Sequence, residues 1–265
     1  MIKYEVLSQL LLALPFAAAF FLYMWAVASS NATYRKWSLY RTSSWTLGIL
    51  CAISSVAGPL AARAHMDFTA HMTGHLLLGM LAPLLMALGA PLTLLLRTLP
   101  VHAARKVSKL LKGRFVRFIS SPVTASVLNV GGLWILYTTS LYGMMHHSFF
   151  VHVAVHIHVF LAGYLFTVSM ISIDPSPHQK TFTHRASVLV LALAAHGILS
   201  KYVYAHPPMH VSAEGAQQGA MLMYYGGDLI DLCLIVLLCY EWFKRVQKYL
   251  LYKTRRKHDA FCAFF

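Results

Sequence analysis

Two pairs of histidines four residues apart, His71 with His75 and His152 with His156, lie within long apolar stretches of this 265-residue chain. That spacing puts both imidazoles of a pair on one face of a helix, one turn apart. Two pairs on different helices supply four nitrogen donors, enough for one metal ion or two adjacent ones in a bundle core. Met66, Met144, Met145 and Met209 stand beside further histidines in the flanking loops, and Met72 sits between the histidines of the first pair. Thioether with imidazole favours copper, Cu(I) above all, over magnesium or calcium, which take oxygen ligands. Zinc, through imidazole and carboxylate, and one haem held by two histidines are the alternatives.

The elements that must position these groups are membrane helices. The chain is 58% hydrophobic and 11% charged, and apolar runs of about twenty residues match a bilayer at roughly 1.5 Å per residue. Seven spans are expected, over about 7–28, 42–61, 70–96, 122–141, 149–172, 186–205 and 217–243, forming one all-α polytopic bundle. Pro83 and Pro91 should bend the third span. Gly74, Gly79, Gly131, Gly132, Gly226 and Gly227 should let helices approach closely.

Nineteen of the 22 Lys and Arg residues follow the first, third, fifth or seventh span, the exceptions being Lys3, Arg63 and Lys201. By the positive-inside rule the N-terminus is outside and the C-terminus cytoplasmic. The net charge of +14 thus reports orientation, and the basic stretch 97–117 is expected to be a solvated loop against lipid headgroups that binds no nucleic acid. The first segment ends in Ala26-Val27-Ala28, a sequence that a signal peptidase accepts. Its apolar run is long for a signal peptide, and its removal would leave Arg35, Lys36 and Arg41 outside, so the segment is expected to be retained. Cys51, Cys233, Cys239 and Cys262 form no CxxC or CxC pair and are read as small packing residues.

On this topology eleven of the fifteen histidines fall on the outer side. The helical rise puts His75 roughly 8–10 Å below the outer start of its span, His156 about 10 Å and His196 about 13 Å, so the three share a level. In the last span Gln217, Tyr224, Asp228 and Asp231 form a stripe, with Asp228 about 16 Å deep. A buried carboxylate needs a partner, so Asp228 is read as a ligand or as the acceptor that fixes a ligand imidazole. Alone, His196 would read as a hydrogen-bonded structural residue. His65, His146, His147, His206 and His210 near the interface would read as solvated groups or the walls of a funnel. The coincidence in depth is what turns the paired histidines toward metal. HExxH and GxSxG patterns are absent and no nucleophile accompanies the histidines, so no enzyme is expected. Asp174, in Ile-Asp-Pro-Ser-Pro, reads as a turn.

Several segments together resemble the bacterial CtaG-type cytochrome c oxidase assembly factors, a seven-span family. They are His71-Met72-Thr73-Gly74-His75-Leu76-Leu77, the run His156-Ile157-His158 through Phe166, Ile173-Asp174-Pro175, His196-Gly197, Gln218-Gly219 and Tyr225-Gly226-Gly227-Asp228. The resemblance covers spans three to seven. It implies a bacterial plasma-membrane protein that helps to mature haem–copper oxidase by handling copper, with oxidase subunits, copper ion and lipid bilayer as partners and self-association left open. It carries the family motif onto His71, His75, His156, His158 and His196. The single-span copper chaperone that shares the name uses a cysteine pair absent here. At 100° per residue His156 and His158 point to nearly opposite faces, so spacing pairs His156 with His152 while the resemblance pairs it with His158. His156 ranks above both. The alternatives are a copper transporter, in which the same ligands form a relay, and a membrane oxidoreductase holding copper or haem.

Overall fold

Every regular element among the described residues is helical, and most begin where the sequence supplies a cap or a proline. The computed structural model describes the backbone of residues 2–262 and the side chains of 6–252. The side chains of Lys3, Lys253, Arg255, Arg256, Lys257, His258 and Cys262 lie outside the described ones. Helix α1 (Ile2–Thr33) is followed by α2 (Leu39–Val56) and a short α3 (Pro59–Ala64). Gly58, at φ +87°, and Pro59 end the second expected span at Val56 instead of 61, because only glycine adopts that φ without strain and proline opens a new helix. Asp67 then caps α4 (Phe68–Leu76), accepting from the Thr69 amide at 2.8 Å.

The third expected span is broken in the way its prolines require. A π turn at Leu77–Leu81 leads into α5 (Ala82–Leu88), and the chain stops at Gly89 and Ala90 before Pro91 opens α6 (Pro91–Thr98). Pro83 lacks an amide hydrogen and its ring crowds the carbonyl one turn back, which the wider turn relieves. Residues 97–117, expected as a loop, form instead α7 (Val101–Leu111) and α8 (Arg114–Ile119). Apolar and basic residues alternate there with helical period, which a membrane surface stabilises.

Next come α9 (Pro122–Ser126), a π turn at Val127–Gly131, and α10 (Gly132–Thr138), followed by α11 (Leu141–His147), α12 (Phe149–Met170), α13 (Phe182–Ala205) and α14 (Ala213–Cys262). Ser121, Ser148 and Thr181 cap α9, α12 and α13 through their hydroxyls. Among the described residues five segments are long and apolar enough to cross a membrane: Val6–Thr33, Phe68–Leu88, Phe149–Met170, Phe182–Ala205 and Ala213–Tyr252. Helix α2 and the α9–α10 run pack among them.

One apolar core joins α1 and α2 to α5 and α6 around Tyr23, Trp45, Ile49 and Met86. The Tyr23 hydroxyl donates to the Gly89 carbonyl at 2.8 Å and accepts from Trp37 Nε1 at 3.0 Å, so the break after α5 is pinned by a side chain of α1 that is itself held from the α1–α2 connection. Two further cores lie at opposite ends of α12 to α14, one around Met72, Tyr137 and Leu199, the other around Phe166, Met170 and Leu189.

The π turn crosses α12 at Gly79 and Gly163, where a methyl group on Gly163 would overlap the Gly79 carbonyl. Substituting Gly163→Ala should therefore force the two helices apart and destabilise the protein by about 1–3 kcal/mol. Thermal unfolding in detergent checks this, and an unchanged midpoint would mean that the helices do not meet there.

Candidate metal centre

Helix α4 carries His71 and His75, α12 carries His152 and His156, and α13 carries His196. The bundle brings His75 and His196 together: they are 7% and 6% exposed, with ring centroids 6.3 Å apart. Neither nitrogen of His75 has a hydrogen-bond partner, nor does Nε2 of His196. A buried polar atom left in that state costs roughly 1–3 kcal/mol, and few are retained without a reason. Gly227 on α14 makes the arrangement possible, since a Cβ there would stand 2.7 Å from the His196 ring.

Two small cavities share His75. The first, of about 30 Å³, is lined by His75, His196, Asn129, Thr167 and Asp231 among others. The second, of the same volume, is lined by His71, His75, Tyr137 and His156. Each has the volume of about one water molecule. His71 Nε2 lies 3.1 Å from the Tyr137 hydroxyl, which also reaches Met72 Sδ at 3.6 Å. His156 Nδ1 donates to the His152 carbonyl at 2.8 Å, which leaves Nε2 with the lone pair that a metal or a proton needs.

His152 belongs to the mouth of the bundle. Its ring packs on His156 at 4.2 Å and stacks on His65 at 5.3 Å, and His65 in turn meets His146 at 6.0 Å. Beside them opens a cavity of about 580 Å³ whose walls include His65, Met66, His146, His147, Met209 and His210. Burial holds the His146 imidazole below its ordinary pKa, and His65, His147 and His210 add to the shift. It is thus neutral, with a free lone pair, at neutral pH.

Two of the residues singled out in the sequence do not line the cavities around His75. His158 is exposed, and its Nε2 donates at 3.0 Å to the Leu128 carbonyl, within the second π turn. Asp228 is exposed and does not line the cavity beside His196; the carboxylate that does is Asp231, 5% exposed. Among the described residues no three His, Cys, Asp or Glu side chains converge closely enough to hold one ion. The donors are arranged in pairs.

Asp228 and Asp231 belong to one stripe in the sequence, and it is Asp231 that lines the cavity with His196. Tyr137 carried no signal, being one tyrosine among fourteen. Asp174 is more than a turn: it accepts from the Leu92 and Thr93 amides at 3.0 and 2.8 Å and from the Thr93 hydroxyl, capping α6 from across the bundle. Arg185, expected in a loop, is 1% exposed, donating to the Met170 carbonyl and pairing with Glu241 at 3.1 Å.

These features define a membrane protein, all-helical among the described residues, whose interior holds two imidazoles with nitrogens that lack hydrogen-bond partners. The chain belongs to the cytochrome c oxidase caa3 assembly factor family (Caa3_CtaG), whose sequence model matches residues 21–245. An uncharacterized protein of Mycobacterium bovis and one of Mycobacterium tuberculosis are each 31% identical over 196 residues, 71% of this chain and 29% of theirs. One of Mycobacterium leprae is 29% identical over 167 residues, 60% of this chain and 25% of its own. The chain therefore spans less than a third of the length of these relatives. No solved structure matches it.

Proposed function

We propose that this chain is a seven-span protein of the bacterial plasma membrane, with its N-terminus outside and its C-terminus in the cytoplasm, that takes up copper in its outer half and passes it to cytochrome c oxidase during assembly. It acts as a metallochaperone and turns over no substrate. Helix α2 and the α9–α10 run complete the seven crossings, and the clustering of basic residues in alternate connections supports the orientation.

The observation that carries the copper reading is the pair of buried imidazoles, His75 and His196, with three nitrogens lacking partners. Two imidazoles sharing one ion at about 2 Å each would set their centroids roughly 6 Å apart, close to the separation found here. A soft ion that accepts few ligands suits paired donors, and the histidine- and methionine-lined mouth offers the same chemistry at the surface. Delivery fits better than catalysis because the family is one of oxidase assembly factors.

Cells lacking this protein should make oxidase subunits yet show low oxidase activity. Added copper should restore part of that activity by mass action, since free metal then substitutes for a donor. Normal activity in the deletion strain under copper limitation would overturn the reading. A changed total of cell copper in that strain would favour a transporter.

A further inference from the structure

The far end of the molecule carries a further cavity that the copper reading leaves unused. A groove of about 600 Å³ runs along α7 beside the end of α6, lined by Arg97, Arg105, Lys109 and Lys112, with Ser108 and Tyr34 among them. Val101, Ala104, Arg105, Ser108, Lys109 and Lys112 recur at three- and four-residue intervals, so one face of α7 supplies most of that wall. No acidic residue occurs between 97 and 117. Among the described residues no carboxylate pairs with any of the four cations.

Arg97 is already oriented. It donates to the Arg35 carbonyl, and its guanidinium lies 5.1 Å from the Tyr34 ring and 5.7 Å from that of Trp37. Apolar side chains form the other part of the groove, through Leu96, Leu99 and Val101, and Val101 is 67% exposed. Four cations and a hydroxyl beside an apolar wall, one connection away from a long apolar helix, suit a ligand with an anionic head and a hydrocarbon tail.

We infer that this groove binds the phosphate headgroup of an anionic phospholipid, with its acyl chains along α6. A solvated basic face would need no concavity and no fixed arginine, whereas a headgroup site needs both. The occupant ties α7 to the membrane surface and holds the end of α6 in place.

The test uses the full chain purified in detergent, with phosphatidylglycerol, phosphatidylcholine or inorganic phosphate added in turn. Retained lipid is counted by native mass spectrometry, and thermal unfolding is followed in parallel. Phosphatidylglycerol should be retained and raise the unfolding temperature, whereas phosphatidylcholine and phosphate at equal concentration should not. The triple variant Arg105→Gln, Lys109→Gln, Lys112→Gln should weaken phosphatidylglycerol binding on the order of 100-fold. The variant Lys106→Gln, Arg114→Gln, Arg117→Gln removes as many charges from the same segment outside the groove and should retain binding. The swap Arg105→Lys, Lys109→Arg, Lys112→Arg keeps the charge and guards against misfolding, and it too should bind. Equal loss in both charge-removal variants would reduce the effect to bulk attraction and overturn the site. Equal binding of phosphatidylcholine, or a shift with phosphate alone, would overturn the anionic-lipid assignment.

Discussion

His75→Ala should remove most of the copper bound by the purified protein, and His196→Ala should do the same, while His158→Ala should leave it in place. The contrast rests on hydrogen bonds. His75 and His196 have buried nitrogens with no partner, whereas His158 spends its Nε2 hydrogen on the Leu128 carbonyl and is exposed. Removing a residue that merely supports a ligand typically costs 10–100-fold in metal affinity, and removing a ligand costs at least that. Asp231→Asn should give the intermediate result, a loss of roughly tenfold, if the carboxylate steadies the imidazoles from the cavity they share. Metal content per folded monomer decides the matter. Full occupancy in both the His75 and His196 variants would return these residues to a packing role, and loss in the His158 variant would move the site to the other face of α12.

The second large effect concerns the opposite end. Glu241→Ala should destabilise the protein by about 3–5 kcal/mol, because it strands a guanidinium that is 1% exposed. Arg185 reaches α14 from the start of α13 and also holds the Met170 carbonyl at the end of α12, so three helices lose their common tie. Gln179 and the Ser172 amide meet the same carboxylate, at 2.9 and 3.0 Å. Arg185→Met with Glu241→Leu, which removes both charges at similar volume, should recover much of the loss. A Glu241→Ala protein that unfolds at the same temperature as the original would show that the pair contributes nothing.

The helical character of the chain was legible from its apolar runs, and the membership of His75 and His196 in one cluster from depth alone. What depth cannot supply is azimuth. Asp228 and Asp231 differ by less than a turn along α14, and only packing against α4 and α13 decides that the second faces the cavity. His156 and His158 posed the same question, and each is answered by a backbone carbonyl, His152 for one and Leu128 for the other. Long-range partners such as Tyr137 and Glu241 leave no trace in local spacing, since they lie 66 residues from His71 and 56 from Arg185. The charge of residues 97–117 points to a solvated loop, whereas their spacing has the helical period that α7 and α8 follow.

The π turn at Leu77–Leu81 sets a phase for everything after it. It takes in one residue more than an α-turn, so each later side chain of that helix is set back by about 100° relative to an uninterrupted α-helix. Leu84, Met86 and Ala87 are buried on that shifted phase, whereas His75 lies before it. Deleting any single residue from the turn would restore a regular helix and rotate one half against the other, turning Met86 off the α2 seam if the histidines stayed put. The number of residues between His75 and Pro83 is therefore more constrained than their identities, so that stretch tolerates a change of residue type more readily than a change of length.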